Sequence, residues 1–227
     1  MRHFPIIPTL SSVNLARRGA TLRARGRDIS TGIFKDAASG RVRLGSLGLD
    51  GDFQADKRYH GGPQQAVYAF SAEQAAALAP ALGLSEPPPA GFFGENFTTR
   101  GLEDDRVAVG DVYGIGTAVV QVTKPRSPCY KLGLRAGSAA FLRPFLESRR
   151  IGFYLRVREE GEVGAGDEIR LLERPDRPLF LPDLVRLLYS ALPDPAELER
   201  AIASGGLSES IRERLAESLA AARGAPF

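Results

Sequence analysis

The sequence predicts a mainly β protein with added helices: a barrel-like domain over residues 29–175, a basic arm ahead of it (1–28) and a three-helix domain behind it (176–227). Three observations predict this. Short apolar runs punctuated by glycine fill residues 29–175, and turn signals such as Gly61-Gly62-Pro63 and Gly114-Ile115-Gly116 recur every 8–15 residues. That texture belongs to a Greek-key barrel or a similar closed β body. Beyond Arg174 the composition shifts to short helical patterns. With 227 residues the chain can bury a core unaided, and its single cysteine excludes an intramolecular disulfide framework.

Each element has its own signal. Residues 1–40 carry seven basic and two acidic residues, so the start of the chain reads as a solvated, partly flexible arm. Strands are expected over Ile29–Phe34, Arg41–Leu49, Ala66–Phe70, Arg106–Ile115, Ala118–Thr123, Ile151–Arg158 and Glu168–Leu172, several with apolar–polar alternation. Ser71-Ala72-Glu73-Gln74 has capping-box spacing and opens an alanine-rich helix closed by Gly83. A second helix is expected over Ser138–Arg149, kinked at Pro144, and Pro87-Pro88-Pro89 marks a stiff exposed loop. In the tail, Asp194-Pro195 is a cap followed by a first-turn proline, and Ile211, Leu215 and Leu219 share one helix face. Such short helices need a surface to pack on.

Charge and motifs narrow the function classes. The stretch between Asp111 and Glu147 has no acidic residue but holds Lys124, Arg126, Lys131, Arg135, Arg143 and the only cysteine, Cys129. Positive surroundings favour a thiolate and attract anions. One cysteine cannot supply an iron–sulfur cluster, and two histidines cannot build a three-His zinc site. No Walker A, HExxH, GxSxG or dinucleotide fingerprint is present. No apolar run is long enough to cross a bilayer, and the first residues make a poor signal-peptide core, so a cytoplasmic protein is expected. The basic start lacks the aromatic interleaving of a nucleic-acid reader, so neither nucleic acid nor membrane is an expected partner.

Three segments could carry chemistry. Lys57 and His60, followed by Gly61 and Gly62, offer cations and exposed backbone N–H groups to an anion, or form a solvated turn. Glu95 and Asn96 lie between Phe93 and Phe97, placed either to hold a ligand ring or to turn into a strand. Cys129 follows Pro125-Arg126-Ser127-Pro128 and precedes Lys131, a stiff basic setting that suits a nucleophile or a soft metal ligand. Single cysteines are also often inert buried residues.

Taken with Gly48-Leu49-Asp50-Gly51-Asp52 and Val109-Gly110-Asp111, these strings resemble the MOSC family (molybdenum cofactor sulfurase C-terminal domains) in its bacterial YiiM-type branch. The likeness runs over about 30–175, and the helical tail is similar to the small α domain of that branch. The resemblance implies a β-barrel-like fold, a molybdenum–pterin cofactor in its molybdopterin form, and Cys129 as both metal ligand and catalytic residue. It implies reduction of N-hydroxylated compounds such as 6-hydroxylaminopurine to amines, and a homodimer. The cofactor-binding residues expected by position are Lys57, His60, Gly61, Gly62, Glu95, Asn96, Arg126 and Lys131. Since the chain has no dinucleotide or iron–sulfur motif, electrons are expected from a separate electron-transfer protein. The competing reading is a sulfur or cofactor carrier using the same cysteine.

Overall fold

The computed structural model describes residues 7–24, 26–55 and 61–224. The first element among the described residues is a strand, β1 (Thr9–Leu15), within the span expected as an arm. Leu10, Val13 and Leu15 of this strand are buried, so its apolar residues belong to the core. A two-stranded ribbon follows, β2 (Ala20–Ala24) and β3 (Arg27–Thr31), and then three short strands: β4 (Asp36–Ala37), β5 (Val42–Gly45) and β6 (Gly48–Leu49). The strand expected over Arg41–Leu49 is thus folded on itself at Ser46-Leu47, where Gly48 takes φ +129.

β7 (Val67–Ser71) is fully buried and leads into α1 (Ala72–Leu78). Ser71 accepts from Gln74 N as the spacing predicted, but the Gln74 side chain crosses to Asp104 instead of returning to the cap. β8 (Phe97–Arg100), the strand that the Phe93–Phe97 segment was read as able to turn into, pairs parallel with β7 and antiparallel with β1. β9 (Val112–Ile115) and β10 (Ala118–Pro125) form a hairpin. Two short helices follow, α2 (Tyr130–Arg135) and α3 (Leu142–Glu147). Only part of the expected Ser138–Arg149 helix is α-helical. A 3-10 turn occupies Ala139–Phe141, so Pro144 falls in the first turn of α3, where a missing N–H is harmless. β11 (Phe153–Glu159), β12 (Gly161–Val163) and β13 (Ile169–Glu173) complete the sheets.

The main sheet has eight strands in the order β13-β9-β10-β11-β7-β8-β1-β4, antiparallel except for β7–β8. The beginning of β1 also meets the segment entering β13, through Leu10 N to Asp167 O at 2.8 Å, Gly166 N to Leu10 O at 2.7 Å and Ile169 N to Pro8 O at 2.8 Å. The fold is therefore mainly β with added α.

Three helices, α4 (Leu181–Tyr189), α5 (Pro195–Ile202) and α6 (Glu209–Ala222), pack onto the sheet. Leu181, Leu184, Leu198, Ile211 and Leu215 share one core cluster with Val120, Phe153 and other strand residues, which supplies the support these short helices need. Backbone approaches backbone where Gly110, beside β9, meets Gly206 between α5 and α6. A Cβ on either would come within about 2.6 Å of the other's Cα.

Candidate functional site

A cleft of about 660 Å³, open mouth included, lies at the junction of the ribbon, the 52–55 segment and the turn after β10. Cys129, Arg126, Lys131, Gly61 and Asn96 line it, together with Lys35, Asp52 and Tyr154. The structure thus brings five of the expected site residues into one hollow. Lys57 and His60 lie outside the described residues.

Cys129 is the N-cap of α2, in extended backbone (φ −124, ψ 153). Its carbonyl accepts from Leu132 N at 3.0 Å, and its thiol is free and partly exposed. Pro125 ends β10 and Pro128 precedes the cysteine, so little backbone freedom remains between the sheet and the thiol. Lys131, two residues on, donates from Nζ to Ser30 O at 3.3 Å.

Arg126 is the least ordinary residue of the cleft. Its backbone N–H donates to Gly152 O at 2.9 Å, and its guanidinium lies over the Tyr68 ring (4.9 Å) and the Phe145 ring (6.0 Å). Only 6% of the residue is exposed, yet Nη1 is buried without any hydrogen-bond partner, and no carboxylate pairs with the group among the described residues. An arginine cannot shed its proton to escape this cost. Such an arrangement fits an anion held in the cleft. Behind it stand Phe70, Phe93, Phe141 and Phe145, with ring centroids 4.5–6.2 Å apart. This aromatic wall lowers the local dielectric and strengthens charge interactions.

A second polar group in the cleft escaped sequence reasoning. Lys35 Nζ contacts both oxygens of Asp52, at 2.5 and 2.7 Å, with both side chains almost wholly buried. Burial pulls the Lys35 ammonium below its usual range, and Asp52 only partly offsets this. Asp52 also accepts from Ala16 N (2.8 Å) and Asn96 Nδ2 (2.8 Å). The one signal available was Asp52 in the Gly-Leu-Asp-Gly-Asp string; nothing local marks Lys35.

Asn96 and Glu95 are placed differently from the expectation. Asn96 reaches the cleft wall, but its amide is committed: Nδ2 donates to Asp52 and Asn14 O, and Oδ1 accepts from Tyr68 N. Glu95 does not line the cleft. Its carboxylate accepts from Gly91 N (2.6 Å), Phe93 N (3.0 Å) and Thr98 Oγ1 (2.9 Å) behind the wall. The contact expected for Glu95 is therefore corrected to a loop anchor: its acceptor oxygens face donors of its own turn. Gly61 lines the cleft at φ +106, where a Cβ would sit 2.0 Å from Gln54 Oε1. Gly62 does not line it and instead starts the 3-10 turn Pro63–Gln65.

Asp104 supports the same wall from behind. It accepts from Gln74 Nε2 (3.0 Å) and from Gly152 N (2.8 Å), the residue whose carbonyl holds Arg126. Burial raises its pKa from 3.8 to about 6. The folded chain therefore holds a proton there that the unfolded chain has already lost, so stability falls as pH rises from about 4 to about 6. The expected loss is about 3 kcal/mol at the upper end. Denaturation midpoints across that range should show it in the parent, and the profile of an Asp104→Asn variant should be flatter.

Comparison with known proteins places the family and the fold. A profile described as the MOSC domain matches residues 56–170. The chain is 31% identical over 179 residues to YiiM of Escherichia coli, covering 78% of this chain and 80% of that protein. It is 34% identical over 158 residues to a protein named Reductase from Gibberella moniliformis; these are 67% of this chain but only 27% of that longer protein. The crystal structure of YiiM from Geobacillus stearothermophilus superposes with a TM-score of 0.75 at 29% identity, covering 93% of this chain and 99% of that one. By domain profile, sequence and fold together, the chain belongs to the MOSC domain family and to its YiiM-type branch.

Proposed function

We propose that the chain is a molybdenum–pterin-dependent reductase of N-hydroxylated compounds, with Cys129 as the protein's sulfur ligand to the metal. The observation that carries this reading is the buried, unpartnered Nη1 of Arg126 in the same cleft as Cys129. A phosphate-bearing cofactor with a thiolate-seeking metal asks for those two groups together. Arg126 offers its free N–H edge to a phosphate oxygen, and Lys131 adds a second positive charge. Gly61 brings bare backbone close to the ligand. The Lys35–Asp52 pair and Asn96 hold the opposite wall in place, so that the ligand meets a preorganised site. When bound, the cofactor supplies removal of the oxygen from nitrogen, with the overall balance R–NHOH + 2 e⁻ + 2 H⁺ → R–NH₂ + H₂O. The chain's own task is to bind, orient and charge-match.

The electrons come from a separate donor protein, because one cysteine and no dinucleotide fingerprint leave the chain without its own relay. No helix among the described residues is long and apolar enough to cross a membrane, in keeping with a cytoplasmic enzyme. Protein made in a host with the cofactor pathway intact should carry about one molybdenum and one pterin per chain and reduce 6-hydroxylaminopurine with dithionite. A metal-free product that carries persulfide on Cys129 overturns the reading in favour of a sulfur carrier.

Arg126 gives a sharper check, because its cost to the fold and its use to the ligand have opposite signs. Arg126→Met removes a buried charge that finds no partner, so the apo chain should gain about 1 kcal/mol, net of the lost ring contacts. Pterin content of the purified protein should drop at least about tenfold. Thermal denaturation and pterin fluorescence read the two effects separately.

A further inference from the structure

The β2–β3 ribbon stands apart from the main sheet. Ala20 is opposite Thr31 at its base and Ala24 opposite Arg27 at its tip, about 13 Å away. Arg23 and Arg27 are exposed near its tip and Arg17 and Arg18 on the segment that leads into it, and none of the four pairs with a carboxylate among the described residues. Asp28 is the only acid between residues 17 and 31. An ordinary solvated face intersperses the two signs; this one keeps a strong positive excess.

The ribbon is also part of the cleft. Thr31 and Gly32 line it, and Lys131 of α2 reaches back to Ser30 O. Both strands close on Phe53, another lining residue, at the base of the ribbon. A Cβ on Gly19 would sit 2.8 Å from the Phe53 ring, and one on Gly32 would sit 2.2 Å from Phe53 O. The arginines therefore ride on an element fixed to the wall that holds Cys129, and one side of it, through Leu22, packs on the aromatic cluster.

We propose that this arginine-bearing ribbon is the docking surface for an acidic electron-transfer protein, delivering electrons at the mouth of the Cys129 cleft. The proposal rests on the reductase reading above. Each N–O bond cleaved takes two electrons, lost by the reduced flavin or iron–sulfur group of the partner, and two protons from water. A protein partner fits better than nucleic acid, because residues 17–31 hold no aromatic side chain for base stacking. Unpaired charges at the entry and near the tip of one projecting ribbon steer an encounter with an acidic surface.

The test uses the cofactor-loaded protein, a strongly acidic flavodoxin and dithionite. With the parent, the flavodoxin-driven rate should fall steeply as salt rises. In a variant carrying R17Q, R18Q, R23Q and R27Q, that rate at low salt should drop at least about tenfold and its salt dependence should flatten, while dithionite turnover stays within about twofold. Calorimetric titration with the flavodoxin, which needs no turnover, should show a matching rise in Kd. Equal rates and salt slopes in the two proteins overturn the proposal. So does a flavodoxin that neither binds nor reduces a parent active with dithionite, or tighter binding to a DNA duplex than to the flavodoxin at equal salt. A parent inactive with dithionite sinks the reductase reading instead, and the titration alone then decides the docking surface.

Discussion

Cys129→Ala should abolish reduction of N-hydroxylated substrates, by at least about three orders of magnitude, and leave the fold intact. The two halves of this expectation have different physical sources. The thiol is free and partly exposed at the N-cap of α2, and its side chain accepts no capping hydrogen bond. Removing one sulfur there leaves no large cavity, and stability should change by about 1 kcal/mol or less. The backbone that shapes the turn, with Leu132 N bonded to the Cys129 carbonyl, is untouched by the substitution. Activity is another matter, because no other sulfur lines the cleft among the described residues, and Cys129 is the chain's only cysteine. Single-turnover reduction of 6-hydroxylaminopurine, run beside molybdenum and pterin quantification, separates loss of the metal from loss of chemistry. Full activity in the alanine variant would overturn the proposed metal ligation by Cys129.

Arg174→Ala should cost about 3 kcal/mol of stability, the low end for breaking a buried pair because Arg174 itself is partly exposed. Asp111 is wholly buried and accepts four hydrogen bonds, from Arg174 Nε (2.8 Å), Arg174 Nη2 (2.6 Å), Tyr113 Oη (3.0 Å) and Ala108 N (2.9 Å). Arg174 Nη2 also donates to Arg106 O at 2.8 Å, and the guanidinium lies over the Phe180 ring at 5.3 Å. One side chain thus ties β13's exit to β9's entry and to the start of α4. Without it the Asp111 carboxylate is left in the core with no counter-ion. For a chain of this size each kcal/mol moves Tm by about 2–4 °C, so a drop of about 10 °C is expected. Arg174→Lys should recover only part of it, since an ammonium cannot reproduce the two-pronged contact. The double change Asp111→Asn with Arg174→Met should cost less than Arg174→Ala alone, and a cycle of denaturation curves measures that difference.

Much of the site was legible in the sequence because its parts are local. Two prolines ahead of a cysteine stiffen a turn wherever it sits, and a stretch without acids stays positive in any fold. Cys129, Arg126 and Lys131 share a cleft for that reason, within six residues of chain. Gly61 was legible too, as bare backbone in a Gly-Gly pair; its φ of +106 against Gln54 is what the structure adds. Glu95 was misjudged because a carboxylate beside two aromatics serves equally as ligand contact or loop anchor. What decides between them is the position of Gly91 N and Phe93 N relative to its oxygens. Likewise Thr9–Leu15 looked like part of a basic arm because the arginines that follow dominate its composition. Its burial depends on β8, more than 80 residues away.

The sequence by itself determined the mainly β texture, the three tail helices, the MOSC likeness and a cysteine in basic surroundings. These rest on turn chemistry, short-range periodicity and neighbouring charge, which act within a few residues. Only the tertiary structure decided the pairing of Lys35 with Asp52, the withdrawal of Glu95 behind the wall and the solitary Nη1 of Arg126. The free energy of a buried charge depends on which partners the fold brings within about 3 Å of it, and those partners come from distant parts of the chain.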